Sequence, residues 1–232
     1  MRSLNTGKNL LHWLASVDED GIAWLHLQTD GKSVNVLTHA VMAELESLVD
    51  QLEASEDLTG VAMLSGKPGG FVYGADIHEF ETLKTAGDVA NHMLFVHGLF
   101  NRIEVLPVPS CVCVDGIAVG GGLEIALVFD RLFVTSSPKT KLGFPEVNLG
   151  IMPGYGGSGR AYGRVGTKAV LDMMISGRPL GSQDAIKNGL ADAIVDNADD
   201  LEVAMRQWLL GCKGEKPSLT QLETAASATE IA

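Results

Sequence analysis

The sequence is short of basic residues. Its 17 lysines and arginines stand against 29 aspartates and glutamates, which gives a formal net charge of −12 over 232 residues. This excess of negative charge would repel nucleic acid and an anionic membrane surface, so we expect neither as a partner. An anionic small molecule is compatible with the charge, because a few backbone N–H groups or one lysine can bind a phosphate.

The sequence also lacks a long apolar run and has only three cysteines. No run approaches the roughly 20 apolar residues that a membrane-spanning helix needs, and the N-terminal segment shows no cleavage pattern of a signal peptide. Cys111 and Cys113 lie two apart in one apolar stretch, which favours buried thiols over a disulfide or a metal site. Together these features predict a cytoplasmic protein.

The sequence does contain ample material for a core, since 46% of its residues are hydrophobic. Two apolar segments that flank "DEDG" (18–21) predict a β-hairpin. Residues 38–55 carry apolar side chains at helical spacing after Thr38, a candidate N-cap. A helix is also predicted over 77–84, and two more over 158–165 and 167–175. Short apolar strands alternate with such helices, which predicts an α/β fold with helices packed on sheet faces.

Several familiar motifs are incomplete or missing. "GYGGSG" (154–159) has the glycine spacing of a dinucleotide-binding loop, but Pro153 precedes it and Pro179 stands where the acidic residue should lie. The sequence has no Walker A loop, no G-x-S-x-G elbow and no His/Cys set with metal-ligand spacing. His92 and His97 lie five apart on one predicted helix, so we expect packed or solvated roles for them. No metal site is expected.

Three glycine-rich segments remain, each of which combines carboxylates with apolar residues. They are "GGFVYGADIHEF" (69–80), "GIAVGGGLEIAL" (116–127) and "LGFPEVNLGIMPGYGG" (142–157). Taken singly, the carboxylates have structural explanations: Asp76 is a natural N-cap, and Glu124 and Glu146 suit the first turn of a helix. Taken together, two glycine-rich loops offer backbone N–H donors and two glutamates lie in apolar settings. That combination favours chemistry that passes through an enolate.

These three segments, in this order, resemble the crotonase (enoyl-CoA hydratase/isomerase) superfamily over about residues 11–210. The third segment is most similar to the hydratase half of bacterial fatty-acid oxidation multienzyme α chains. The resemblance implies a crotonase-like spiral of repeated strand–strand–helix turns with a helical C-terminal part. We expect a crotonase-like domain over residues 1–210 and a polar tail or linker over 211–232, with the chain truncated before the family's C-terminal helical layer or simply short and divergent.

The resemblance also implies roles by motif position. The N–H groups of Ala75 and Gly121 would form an oxyanion hole for the thioester carbonyl of an acyl-CoA. Glu124 would activate water for attack at C3, and Glu146 would handle the proton at C2. Further substrate-binding residues would be Gly74, Asp76, Ile77, His78, Gly120 and Gly154. His78 departs from the family, since many members carry Lys or Arg there to hold the CoA phosphates, and the segment between the two glutamates is slightly longer than in typical hydratases.

Because both glutamates are present, the resemblance favours reversible hydration of a trans-2-enoyl-CoA to the 3-hydroxyacyl-CoA, as in fatty-acid β-oxidation. The alternatives are Δ3,Δ2-enoyl-CoA isomerisation or another crotonase reaction, since isomerases of the family generally use only the second glutamate, and a non-catalytic CoA-ester-binding domain of a larger chain. No cofactor is implied beyond the CoA thioester substrate. The expected assembly is a homotrimer or hexamer, or part of a multifunctional chain. Phe95, Phe100 and Tyr155 are candidates for the acyl pocket, although we expect core packing for each.

Overall fold

A computed structural model describes residues 2–4, 10–68 and 70–217. The strands are β1 (Arg2–Ser3), β2 (Trp13–Val17), β3 (Ile22–Leu27), β4 (Gly60–Ser65), β5 (Ser110–Val114), β6 (Ile117–Val119), β7 (Arg131–Thr135), β8 (Lys141–Gly143), β9 (Leu180–Gly181) and β10 (Ala193–Val195). The α-helices are α1 (His39–Glu53), α2 (Ile77–Phe80), α3 (Ala86–Glu104), α4 (Gly121–Ala126), α5 (Gly157–Ser176), α6 (Ser182–Lys187) and α7 (Leu201–Gly211). Short 3-10 helices occupy Pro145–Leu149 and Ala198–Asp200.

The strands form a seven-stranded sheet, in the order β1-β2-β3-β4-β5-β7-β10, and a three-stranded sheet of β6, β8 and β9. Strands β2 and β3 pair antiparallel, with Trp13 opposite Leu27, which confirms the predicted hairpin. From β3 to β10 the neighbours in the large sheet are parallel. Parallel neighbours need long crossover connections: α1 joins β3 to β4, and β6 with α4 joins β5 to β7. The predicted α/β class is confirmed.

Helix α1 forms as its sequence pattern predicts. The Thr38 hydroxyl oxygen accepts a hydrogen bond from the Val41 N–H at 3.1 Å, which satisfies one of the free donors at the helix start. The apolar positions at helical spacing are all buried: Val41, Met42, Leu45, Leu48, Val49 and Leu52. They belong to the main hydrophobic cluster, which covers one face of the large sheet. Burial of each large aliphatic side chain contributes about 1.5–3 kcal/mol.

Three predicted helices differ from the structure in length or continuity. Helix α2 ends at Phe80 rather than at residue 84. It buries none of its side chains, and a helix gains most of its stability from packing an apolar face. The predicted helices over 158–165 and 167–175 form one element, α5, with a break at Gly166, where φ is 73°. Glycine permits that left-handed conformation at little cost.

The opposite face of the sheet carries a second, smaller core. Cys111 and Cys113 are buried there, together with Met205 and Leu209 of α7. Both cysteines are free thiols, as predicted. Helix α7 ends at Gly211, and the greater part of the predicted tail over 211–232 lies outside the described residues, so the predicted domain boundary stays a prediction. Among the helices that the structure describes, none has the length and apolarity needed to cross a membrane.

Candidate active site

The three consecutive glycines allow a close approach between two segments of the chain. Gly120 has a φ of 55°, a conformation that favours glycine. A Cβ on Gly122 would lie 2.1 Å from the carbonyl oxygen of Val72, so a side chain here would collide with backbone. A Cβ on Gly121 would lie 3.3 Å from the nitrogen of Ala75. The run therefore places the start of α4 directly against the "GAD" segment.

The N–H groups of Ala75 and Gly121 are available to a ligand. The Leu37 N–H donates to the Gly74 carbonyl at 2.8 Å, and the Asp76 N–H donates to the Leu37 carbonyl at 3.0 Å. This parallel bridge is centred on Ala75, so the Ala75 N–H points to the opposite side. Gly121 is the first residue of α4 and has no intrahelical acceptor. Across residues 2–4, 10–68 and 70–217, neither N–H donates a hydrogen bond.

A cavity of about 360 Å³ opens at these two N–H groups. Both glutamates and the glycines at 74, 120, 121 and 154 line it. The rest of the lining is mainly apolar: Ile77, Phe80, Leu83, Val89, Met93, Val119, Pro145, Leu149, Ile151 and Met152. An apolar cavity with a few convergent polar groups is the usual form of a small-molecule site. A more open depression of about 490 Å³ at the β2–β3 turn has charged walls and includes none of the described residues of the three motifs.

Glu124 is a buried carboxylate held by two backbone donors. The residue is 2% exposed, and its Oε1 accepts from the N–H groups of Tyr155 at 2.7 Å and Gly157 at 2.8 Å. Burial raises the pKa of Glu124 to about 7; the Glu146 carboxylate adds to the rise, and the two N–H donors oppose it. A carboxyl with a pKa near neutrality is suited to act as a general acid or base.

Glu146 is the second buried carboxylate, at the start of the 3-10 helix after Pro145. Its Oε1 lies near Gly120, where a Cβ would approach it to 3.0 Å. Its Oε2 is buried and has no hydrogen-bond partner among the described residues. Burial raises the pKa of Glu146. A buried polar atom without a partner is costly, so this oxygen marks a position where a bound molecule would supply the missing hydrogen bond.

The cavity brings together most of the residues that the sequence singled out. Those that line it are Gly74, Ala75, Ile77, Gly120, Gly121, Glu124, Glu146 and Gly154. Asp76 and His78 are outside the lining. Asp76 caps α2 by accepting from the His78 N–H at 3.1 Å, and its other oxygen pairs with Lys32 at 2.9 Å. His78 is exposed. The assigned roles of all ten residues stay predictions.

Sequence reasoning missed two contacts of α3 at this site. The His92 Nε2 and the Tyr155 hydroxyl share a hydrogen bond of 2.8 Å, and the His97 Nε2 lies 2.6 Å from the carbonyl oxygen of Gly154. Tyr155 lines the cavity, whereas Phe95 and Phe100, the other aromatic candidates for the acyl pocket, do not. The partners are distant in sequence, so no local pattern could have indicated these contacts.

The Glu124→Gln variant is expected to be more stable than wild type at pH 8, by about 3 kcal/mol. A folded-state pKa of about 7, against an ordinary value of 4.5, means that folding favours the protonated carboxyl. Wild-type stability therefore falls as pH rises from 4.5 to 7, at about 1.4 kcal/mol per unit of pKa difference. The neutral amide escapes this loss, and its oxygen still accepts from both N–H groups.

Denaturant unfolding at pH 8 and pH 4 measures this difference in the free energy of unfolding. Wild type and Glu124→Gln should be nearly equal in stability at pH 4, where the carboxyl is largely protonated in both the folded and the unfolded state. Glu56→Gln is the matched control, since Glu56 is exposed and its replacement should change stability little at either pH. A Glu124→Gln effect of the same size at both pH values would show that charge burial is not its cause.

The family model and the curated relatives that match this chain agree on one family. The family model described as enoyl-CoA hydratase/isomerase matches residues 18–229. The fatty acid oxidation complex subunit alpha of Idiomarina loihiensis is 36% identical over 216 residues, which cover 93% of this chain and 30% of that protein. The subunit of the same name from Shewanella halifaxensis is 36% identical over 198 residues, 85% of this chain and 28% of that protein. The chain thus spans about 30% of the length of these curated relatives.

Solved structures show the same fold. The crystal structure of an enoyl-CoA hydratase from Geobacillus kaustophilus is similar with a TM-score of 0.81 and 29% identity, over 89% of this chain and 76% of that chain. An enoyl-CoA hydratase from Bacillus anthracis has a TM-score of 0.79 at 23% identity, over 95% of this chain and 83% of that chain. At 23% identity, the similarity to the Bacillus anthracis structure supports the fold alone. The predicted crotonase-like architecture is confirmed.

Proposed function

The chain belongs to the enoyl-CoA hydratase/isomerase family of the crotonase superfamily, and on this premise we propose that it catalyses reversible hydration of a trans-2-enoyl-CoA to the 3-hydroxyacyl-CoA. One observation carries the proposal. Two backbone N–H donors and two buried glutamates, Glu124 and Glu146, meet at one apolar cavity. The family also includes isomerases, and the presence of both glutamates is what favours hydration over isomerisation here.

In the proposed mechanism, the N–H groups of Ala75 and Gly121 donate to the carbonyl oxygen of the thioester. Addition at C3 moves negative charge onto this oxygen and produces an enolate-like transition state. Two fixed donors stabilise that charge without having to reorient, and they do so most effectively where water is excluded. The apolar cavity walls supply such surroundings and would hold the acyl chain.

The two glutamates complete the reaction in this proposal. The Glu124 carboxylate takes one proton from water while the water oxygen bonds to C3. The Glu146 carboxyl gives its proton to C2, so that the C2–C3 double bond becomes single. Exchange of a proton with water then restores both groups. Burial raises the pKa of each carboxyl, which supports one ionised and one protonated glutamate near neutral pH.

The finer points of substrate, cofactor and assembly are likewise proposals. We propose that no cofactor takes part, because the thioester itself makes C3 electrophilic and the backbone donors stabilise the enolate. The similar curated proteins are named as subunits of a fatty acid oxidation complex. On that basis we propose a role in fatty-acid oxidation in the cytoplasm, either within a multifunctional chain or as a homotrimer or hexamer.

The test is turnover of a short-chain trans-2-enoyl-CoA, followed as loss of absorbance of the conjugated enoyl thioester. We expect saturable hydration, with the 3-hydroxyacyl-CoA identified by mass spectrometry. Appearance of conjugated absorbance from a 3-enoyl-CoA, without hydration of the 2-enoyl-CoA, would instead support the isomerase. Binding of the CoA ester by calorimetry with neither reaction would contradict both activities and leave the non-catalytic binding domain.

A further inference from the structure

Helix α3 contacts the segment 154–157, whose backbone N–H groups bind Glu124. The His97 Nε2 donates to the carbonyl oxygen of Gly154 at 2.6 Å; because a carbonyl can only accept, this nitrogen carries the hydrogen. The His92 Nε2 and the Tyr155 hydroxyl share a hydrogen bond of 2.8 Å. Two imidazoles of one helix thus contact two successive residues of the segment. Neither imidazole lines the cavity, so neither is placed to touch the substrate.

Tyr155 connects this contact to both parts of the candidate site. Its N–H donates to the Glu124 Oε1 at 2.7 Å. Its ring carbons lie 3.2 Å from the position that a Cβ on Gly121 would take. The ring packs edge-on against Phe100 of α3, with centroids 6.1 Å apart, and the residue is 4% exposed. The placement of Tyr155 therefore fixes one donor to the carboxylate and one wall beside the Gly121 N–H.

The surroundings of His92 keep its imidazole neutral and oriented. Its ring lies edge-on to the ring of His39, 4.9 Å between centroids, and near the ring of Phe80. The His39 Nδ1 lies 2.7 Å from the Glu79 Oε2. Burial lowers the pKa of His92, His39 lowers it further, and Glu79 opposes them. A neutral imidazole can share a hydrogen bond with a hydroxyl in either direction.

We propose that His92 is a positioning residue of this site: through the Tyr155 hydroxyl it holds the Tyr155 N–H on Glu124 and the Tyr155 ring against Gly121. The proposal rests on the proposed function for its catalytic consequence. The hydrogen bond from His97 to Gly154 holds the same segment one residue earlier. A spacing of five residues is unsuited to a shared metal site. It suits the positioning of the segment, because each imidazole contacts a different residue of it.

Four variants separate this role from simple packing. His92→Phe keeps a ring but loses the hydrogen bond, and we expect it to lower kcat about 10- to 100-fold, the scale of a misplaced catalytic group, with KM little changed. His92→Gln places its amide near the position of Nε2 and should restore most of the loss. His92→Asn, which imitates Nδ1 instead, should not. Tyr155→Phe removes the same bond from the other side and should resemble His92→Phe.

The double variant and a matched control make the test decisive. If His92 acts through the Tyr155 hydroxyl, the double variant His92→Phe/Tyr155→Phe should lose no more than either single variant. His26→Gln is the control, because His26 lies on β3 and, among the described residues, its one ion pair is with the exposed Glu202; kcat should not change. Additive losses, or a His92→Phe defect that glutamine does not restore, would overturn the proposal in favour of packing.

A measurement without turnover distinguishes this proposal from the proposed function. In His92→Phe, loss of the Tyr155 donor would destabilise the ionised form of Glu124, so the pKa of Glu124 should rise above about 7. Arg160 and Glu146 also affect this carboxyl and are the same in both proteins. Carbon-13 NMR of labelled glutamate carboxyls measures the pKa, with circular dichroism to verify folding.

The outcomes of that titration differ for the two proposals. If the wild type does not turn over enoyl-CoA but the Glu124 pKa rises in His92→Phe and returns in His92→Gln, the proposed function fails and the positioning role stands. If the pKa is the same in folded wild type and His92→Phe, the positioning role is overturned whatever the activity.

Discussion

Glu146→Gln is expected to lower kcat for hydration by about 100- to 10,000-fold, the range typical of a lost general acid or base. Glu146, which lines the cavity, has a buried Oε2 without a hydrogen-bond partner among the described residues, and burial raises its pKa. Both observations suit a carboxyl that delivers a proton to C2. The amide has nearly the same shape but carries no proton of suitable acidity, so binding of the CoA ester should persist while turnover is lost.

Comparison with Glu124→Gln distinguishes hydration from isomerisation. In the proposed mechanism Glu124 activates water, so its loss should reduce hydration by a similar factor. Shift of a 3-enoyl-CoA double bond needs proton transfer but no water, and should survive in Glu124→Gln while failing in Glu146→Gln. Steady-state kinetics with both substrates measures this, with the exposed-site variant Glu56→Gln as a control that should match wild type. Full hydration activity in Glu146→Gln would remove this residue from the mechanism.

Local physical rules account for what could be predicted about this fold. The start of α1 follows from the cap at Thr38 and its buried face from the apolar spacing, and both signals lie within 18 residues of sequence (38–55). The break in α5 follows from one glycine, Gly166. The motif residues at the cavity could be singled out because glycine runs and isolated carboxylates in apolar settings are unusual locally. Their assignment to roles came only from the family resemblance.

The parts that could not be predicted depend on contacts between distant segments. His92 and Tyr155 are 63 positions apart, and neither sequence neighbourhood indicates the other. The N-cap role of Asp76 on α2 follows from a local rule, but its ion pair with Lys32, 44 positions away, does not. Helix α2 is short because none of its side chains is buried against the rest of the protein. Such tertiary effects override local propensity.

Gly121→Ala is expected to lower kcat about 100- to 1,000-fold, the usual loss when an oxyanion donor is disabled. The added methyl group would lie 3.3 Å from the Ala75 nitrogen and 3.2 Å from the Tyr155 ring. It would therefore occupy space next to both donors, where the thioester oxygen has to approach. Gly121 is helical with no positive φ, so the backbone tolerates alanine and the effect should fall on the chemistry rather than on folding.

Gly163→Ala is the matched control for this substitution. Gly163 lies in α5, and a Cβ there would meet no atom of the described residues within 4 Å. Alanine is favoured over glycine in a helix by about 1 kcal/mol, so this variant should be slightly more stable and fully active. The two substitutions add the same methyl group to helical glycines. A difference in kcat between them therefore reports the space beside Ala75 rather than helix propensity.

A saturated acyl-CoA with a carbon-13 thioester carbonyl tests the same assignment without catalysis. Two N–H donors polarise the carbonyl, so binding to wild type should move its NMR resonance downfield, and Gly121→Ala should reduce that shift even at saturating ligand. If the shift and kcat were both unchanged in Gly121→Ala, the oxyanion would have to bind elsewhere. If the shift were lost while kcat stayed at the wild-type value, polarisation of the ground state would not be what limits the rate, because only interactions that strengthen in the transition state accelerate the reaction.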